Sequence, residues 1–227
     1  MQFEIKGDNF PVLICNLDAG ESIANQQGAM SWMSPNMRMS TNAGGGIGKL
    51  FSRAVTGESI FQNVYTAEGG PGMIAYSSSF PGTILPVQIS PTRTIIAQKT
   101  AFLASQTSVN FEVFFQKKIG SGFFGGEGFI MQKFTGNGML FLEINGSIIE
   151  YDLAPNQSML VDTGYLAAAD STISIDIESV KGIGNALFGG EGLFNTRITG
   201  PGHVWIQTMP INQFAGSLSK YMIKTGN

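Results

Sequence analysis

GGEGFIMQKFTGNG at residues 125–138 and GGEGLFNTRITGPG at residues 189–202 are two copies of one phrase. Glu127 and Glu191 stand 64 positions apart, and Gly126, Gly128, Thr135, Gly136 and Gly138 recur at the same interval. A fixed period of this size marks a chain assembled from copies of one structural unit. A degraded third copy lies upstream, where Gly57-Glu58 is followed by Thr66 at the interval that separates Gly126 from Thr135 and Gly190 from Thr199.

The similarity spreads outward from these phrases. Each is entered through a comparable run: Gly46-Ile47-Gly48-Lys49-Leu50-Phe51, Ile119-Gly120-Ser121-Gly122-Phe123-Phe124, and Gly182-Ile183-Gly184-Asn185-Ala186-Leu187-Phe188. Further upstream, Ala19-Gly20-Glu21-Ser22-Ile23, Pro91-Thr92-Arg93-Thr94-Ile95 and Pro155-Asn156-Gln157-Ser158-Met159 hold equivalent places, at spacings of 72 and then 64. Three modules are expected, over about 1–80, 81–145 and 146–210, with a C-terminal helical segment at 211–222.

Within a module the apolar period is two. Ile173, Ile175 and Ile177 alternate with Ser174 and Asp176, and Val109, Phe111, Val113 and Phe115 alternate with Asn110, Glu112 and Phe114. That is the pattern of half-buried strands. The Thr-Gly runs at 135–138 and 199–202 read as hairpin turns, because glycine tolerates the positive φ values such turns use. Helical spacing is confined to Ile211, Phe214, Ala215, Leu218 and Tyr221, after Pro210. A module of ~70 residues buries a sheet face only marginally alone. The three are therefore expected to share a core about an approximate threefold axis, as a single all-β domain of residues 1–227.

Composition narrows the function. The 227 residues carry 13 Lys+Arg against 16 Asp+Glu, a net charge of −3, so no basic field exists to attract phosphates and no nucleic-acid partner is expected. Charged residues make up only 13%, while 30 glycines nearly double the ~7% norm, which favours turns over helices. The one cysteine, Cys15, can form neither an internal disulfide nor a zinc site, and reads as a small buried hydrophobe in a reducing compartment. The N-terminal residues Met1–Asp8 show neither a secretory signal nor a transit peptide, so a cytoplasmic location is expected. No run of about 18 apolar residues occurs, so no membrane span is expected.

Catalytic motifs fail on inspection. The only histidine, His203, lies in a turn feeding a strand, and no G-x-S-x-G elbow accompanies it, so its role reads as structural. A P-loop ending at Gly48-Lys49 would need Gly at 43 and Ser or Thr at 50, where Ala43 and Leu50 stand. The G-x-G-x-x-G of 120–125 leads into a further glycine turn and an alternating strand, where an anion site needs a helix. Three repeated acids, Glu58, Glu127 and Glu191, could meet near an axis and bind a cation. The favoured alternative is that each accepts backbone N–H bonds from its own turn. The cluster Met30, Trp32, Met33, Met37 and Met39 reads chiefly as core filling, with an adaptable contact surface as the alternative. No catalytic, cofactor-binding or metal-binding residue is assigned.

The doubled Gly-Gly-Glu-Gly phrase, the Thr199–Gln207 run TGPGHVWIQ and the three-module layout resemble the AIM (altered inheritance of mitochondria) biogenesis family. The resemblance extends over essentially the whole chain, with 189–207 its most specific part. It implies three β-sandwich modules, each similar to the tryptophan RNA-binding attenuation protein, in a pseudo-threefold arrangement. It implies no catalytic residues. The chain is expected to act as a non-catalytic binding or scaffold protein, with a protein partner or with copies of itself as a homo-oligomer. The alternatives are a small-ligand or RNA-binding protein like the attenuation protein, and a metal-assisted enzyme using Glu58, Glu127 and Glu191.

Overall fold

Alternating apolar runs form strands throughout the chain, and the pairing of those strands follows one scheme. The computed structural model describes residues 1–41, 62–117, 128–179, 194–219 and 221. The first third holds β1 (Gln2–Lys6), β2 (Val12–Leu17), β3 (Ser22–Gln26), β4 (Met30–Met33), β5 (Met37–Thr41), β6 (Gln62–Ala67) and β7 (Gly72–Ser77). Next come β8 (Gly82–Ile89), β9 (Ile95–Gln98), a 3-10 turn (Lys99–Ala101), β10 (Phe102–Gln106), β11 (Val109–Lys117), β12 (Phe129–Gly136) and β13 (Gly138–Asn145). The last third holds β14 (Ile148–Leu153), β15 (Ser158–Asp162), β16 (Leu166–Asp170), β17 (Ser174–Ser179), β18 (Phe194–Thr199) and β19 (Gly202–Gln207), then helix α1 (Ile211–Ser219).

Every pairing between these strands is antiparallel. β7 lies between β2 and β4, β13 between β8 and β10, and β19 between β14 and β16. Likewise β6 lies between β3 and β5, β12 between β9 and β11, and β18 between β15 and β17. Two further pairings join the thirds, β3 with β10 and β9 with β16. The outcome is two six-stranded sheets, β5-β6-β3-β10-β13-β8 and β11-β12-β9-β16-β19-β14, flanked by the four-stranded β1-β2-β7-β4 and the three-stranded β15-β18-β17.

These pairings correct the hairpin expectation for 135–138 and 199–202. β12 and β13 belong to different six-stranded sheets, and β18 and β19 to different sheets again. The glycine runs are corners that carry the chain from sheet to sheet. Gly136 has φ +104°, and a Cβ there would sit 2.2 Å from the Ser108 carbonyl oxygen. The corner is tied down on the same residue, whose hydroxyl donates to the Asn137 carbonyl at 2.6 Å. Glycine is needed here for close backbone approach as well as for φ. Apart from β1 and β2, the strands that are neighbours in sequence and also pair are those on either side of 42–61, 118–127 and 180–193.

Three core clusters separate the sheets. The first includes Leu13, Ile23, Tyr76 and Phe141, the second Ile95, Phe102, Phe134 and Leu142, and the third Ile96, Phe129, Leu166 and Val204. Successive residues of one strand enter different cores: Ile95 and Ala97 of β9 face the second while Ile96 faces the third. Phe141 of β13 faces the first while Leu140 and Leu142 face the second. Strands covered on both sides carry apolar residues without alternation. None of these clusters joins the first third to the last, and β4 and β15 end their respective sheets. Helix α1 rests through Phe214, whose ring lies 6.3 Å from that of Phe80, while Leu218 of its expected apolar face is exposed and Tyr221, just beyond it, is exposed as well. Among the described residues no helix is long and apolar enough to cross a membrane.

Candidate functional site

The chain's one histidine is held by strand register. β14 is an edge strand of its sheet, and alternation puts Glu150 and Asp152 on one face of it. Across the ladder, Asp152 pairs with His203 and Glu150 with Trp205. Asp152 Oδ1 lies 2.6 Å from His203 Nδ1, and Glu150 Oε2 lies 2.7 Å from Nε2. The imidazole also packs edge-on against the Trp205 ring, centroids 4.5 Å apart. A ring with a carboxylate at each nitrogen uses both as donors, so this geometry holds the imidazolium form. Partial burial opposes that charge, but the hydrogen bonds that the ring donates to Asp152 and then Glu150, with the attraction of both carboxylates, outweigh it and raise the His203 pKa above its ordinary value.

A third carboxylate fixes the backbone beneath. His203 N–H donates to Asp170 Oδ2 at 2.8 Å. The same bond recurs at corresponding places: Met139 N–H donates to Gln106 Oε1 at 2.8 Å, and Met73 N–H to Ser34 Oγ at 3.0 Å. Each acceptor ends or follows the strand that flanks β19, β13 or β7, and each donor follows a glycine: Gly202, Gly138 or Gly72. One framework thus carries different chemistry. At β19 it holds an ion cluster, whereas at β7 it borders a shallow cavity of about 320 Å³ lined by Asn16, Ser34, Gly72 and Met73 among others.

The His203 imidazole is not a free general base, since both ring nitrogens are engaged by carboxylates. Among the described residues no set of three or more His, Cys, Asp and Glu side chains is placed to hold a metal. Glu58, Glu127 and Glu191 lie outside the described residues. Cys15 is fully buried, and burial pushes its thiol up to about 12, which keeps it protonated and unreactive. The methionine cluster divides. Met37 is 1% exposed in the first core and Met30 packs against that core, while Trp32, Met33 and Met39 are exposed. Sequence reading passed over Glu150 and Asp152, whose only local signal is an acidic pair at i and i+2 on a strand. It also passed over Leu160, which stands exposed on β15.

Similarity agrees with this layout. The chain matches the family model for mitochondrial biogenesis AIM24 over residues 3–209. An uncharacterised protein of Streptococcus pyogenes serotype M6 is 30% identical over 236 aligned residues, covering 100% of this chain and 93% of its own length. A crystal structure of a Streptococcus pyogenes protein, a structural genomics target, superposes with a TM-score of 0.80 at 28% identity, covering 97% of this chain and 99% of that one. With the family match running through nearly every strand described above, the chain belongs to the mitochondrial biogenesis AIM24 family.

Proposed function

We propose that the protein is a non-catalytic binding or scaffold protein, one domain of three modules over about 1–80, 81–145 and 146–210, which presents sheet edges to a protein partner. The observation that carries this reading is the set of large apolar side chains standing open on terminal strands: Trp32 and Met33 on β4 and Leu160 on β15. Apolar groups on an unpaired edge invite strand addition. His203 supports the same reading, because both nitrogens of its ring are engaged internally and the imidazole is not free to serve a substrate. A reducing compartment such as the bacterial cytoplasm suits the single buried thiol.

The test compares the wild-type chain with a His203→Gln variant across hydrolytic and group-transfer substrates. No turnover dependent on His203 is expected, and turnover abolished by that one substitution would overturn the proposal. Titration with mixed RNA oligonucleotides at low salt, where phosphate contacts are strongest, is expected to show no binding.

A further inference from the structure

Among the described residues the chain contains two junctions of one kind, and their registers agree residue for residue. At the first, Ala104, Ser105 and Gln106 of β10 pair with Asn25, Ala24 and Ile23 of β3. At the second, Ala168, Ala169 and Asp170 of β16 pair with Ala97, Ile96 and Ile95 of β9. The strands β10 and β16 also share a bulge against their inner neighbours, between Phe102 and Ala104 and between Leu166 and Ala168. β4 has the same bulge against β7, between Met30 and Trp32. Trp32 and Met33 therefore correspond to Ala104 and Ser105, and to Ala168 and Ala169. On the other side, β15 pairs with β18 as β3 pairs with β6 and β9 with β12. Met159, Leu160 and Val161 therefore correspond to Ile23, Ala24 and Asn25, and to Ile95, Ile96 and Ala97.

β4 thus has the form of a strand that receives a junction and β15 the form of one that offers it, yet among the described residues neither is paired on that side. Their exposure fits a missing neighbour. Ala24 and Ile96 are 1% and 0% exposed, whereas Leu160 is 52% exposed; Ala104 and Ala168 are 0% exposed, whereas Trp32 is 45% exposed. Surface positions gain nothing from Trp or Leu unless something covers them, and an open apolar edge left uncovered is a liability.

We infer that β15 of one copy pairs antiparallel with β4 of a second copy, in the register Trp32 to Val161, Met33 to Leu160 and Ser34 to Met159, extending the sheet system from chain to chain. The partner is a second copy of this chain because β4 and β15 complete the junction that the chain already builds twice. The contact is heterologous: each chain uses one edge to give and the other to receive, so copies join head to tail. The inference rests on the scaffold reading and names its partner.

Light scattering over a concentration series tests it, with two single variants, Leu160→Lys and Met33→Lys. Both positions are exposed, so circular dichroism melts are expected to stay near wild type. The wild-type chain is expected to rise above monomer mass with concentration, and each variant alone to remain monomeric. Mixed together, the variants are expected to form a species of twice the chain mass that grows no further, since Leu160→Lys keeps a free β4 and Met33→Lys keeps a free β15. A strictly monomeric wild-type chain, or a mixture that stays monomeric, overturns the inference. Register is read by a Ser34→Cys, Met159→Cys double variant under mild oxidation. Disulfides between chains are expected, and a disulfide closed within one chain overturns the inference in favour of internal closure. None of these readouts involves turnover, so a scaffold that fails to self-associate is distinguishable from a chain that proves to be an enzyme.

Discussion

The strands in the middle of the molecule and those at its two ends follow the same pairing scheme but live in different solvents. β9, β10 and β13 are covered on both faces, and five consecutive residues of β13, Leu140–Ile144, are buried. β4 and β15 touch a core only in part, as through Met30 of β4 and Val161 of β15, and leave Trp32, Met33 and Leu160 in water. The comparison teaches that burial here is decided by position in the stack of sheets, since Trp32 and Leu160 are exposed where the corresponding Ala104, Ala168, Ala24 and Ile96 are buried. A strand's sequence specifies its inner face, while the presence of a neighbour decides what happens to the other.

The sharpest way to break that comparison is to truncate one side chain in each region. Phe141 is fully buried in the first core and meets the Phe3 ring edge-on at 4.9 Å. Phe141→Ala is expected to cost about 3–5 kcal/mol by removing transfer energy and leaving a cavity. Leu160→Ala is expected to change the stability of the dilute, separated chain by less than about 0.5 kcal/mol. Urea unfolding at low protein concentration measures both, and comparable losses would show that β15 is covered within the chain. Next in size is Gly136→Ala. Its Cβ would collide with the Ser108 carbonyl at a backbone angle that L-residues rarely adopt, at an expected cost of about 2 kcal/mol.

A smaller effect sharpens the contrast between buried and open polar groups. Gln98 ends β9 inside the protein, and its amide Nε2 donates to the carbonyls of Leu166, Gly164 and Thr163. Gln98→Met keeps the volume and strands those acceptors, for an expected loss of about 1–3 kcal/mol. Gln26, which ends β3 at the corresponding place, is exposed, and Gln26→Met is expected to be near neutral in the same urea titration.

What the sequence made legible was local. The alternation of Ile173, Ile175 and Ile177 reads as a strand with one buried face, and Ile173 and Ile177 are buried while Ile175 packs against the same core. The abundance of glycine and the scarcity of helical spacing gave the all-β class with one short C-terminal helix. Partner choice was illegible because it is made across long separations. Strands joined by Thr-Gly corners look like hairpins until β12 is seen to pair with β9 and β11. The alternation of Val113 and Phe115 is interrupted by a bulge between them, which leaves Val113 and Phe114 both exposed. The ion cluster was hidden for the same reason, since Asp152 and His203 meet only through the β14 and β19 register.

That cluster gives a small effect and the most specific one. Met139 in the middle of the stack and His203 near its end make the same backbone bond, so the side chain alone differs in response to pH. The folded-state pKa of His203 is raised above its unfolded value, so the folded protein binds the proton more tightly. Its contribution to stability is then fully present below the unfolded pKa, about 6.5, and is lost as pH rises through the folded pKa. Asp152 and Glu150 are 87% and 55% exposed, so solvent screens the pairs and the contribution is expected to stay below about 1 kcal/mol. Urea midpoints for wild type and His203→Met, which installs the residue found at the corresponding middle position, are expected to differ most near pH 6 and to converge toward pH 9. Addition of salt is expected to shrink the difference at pH 6. A gap independent of both pH and salt would mean that His203 acts by packing on Trp205 alone, as an uncharged ring would.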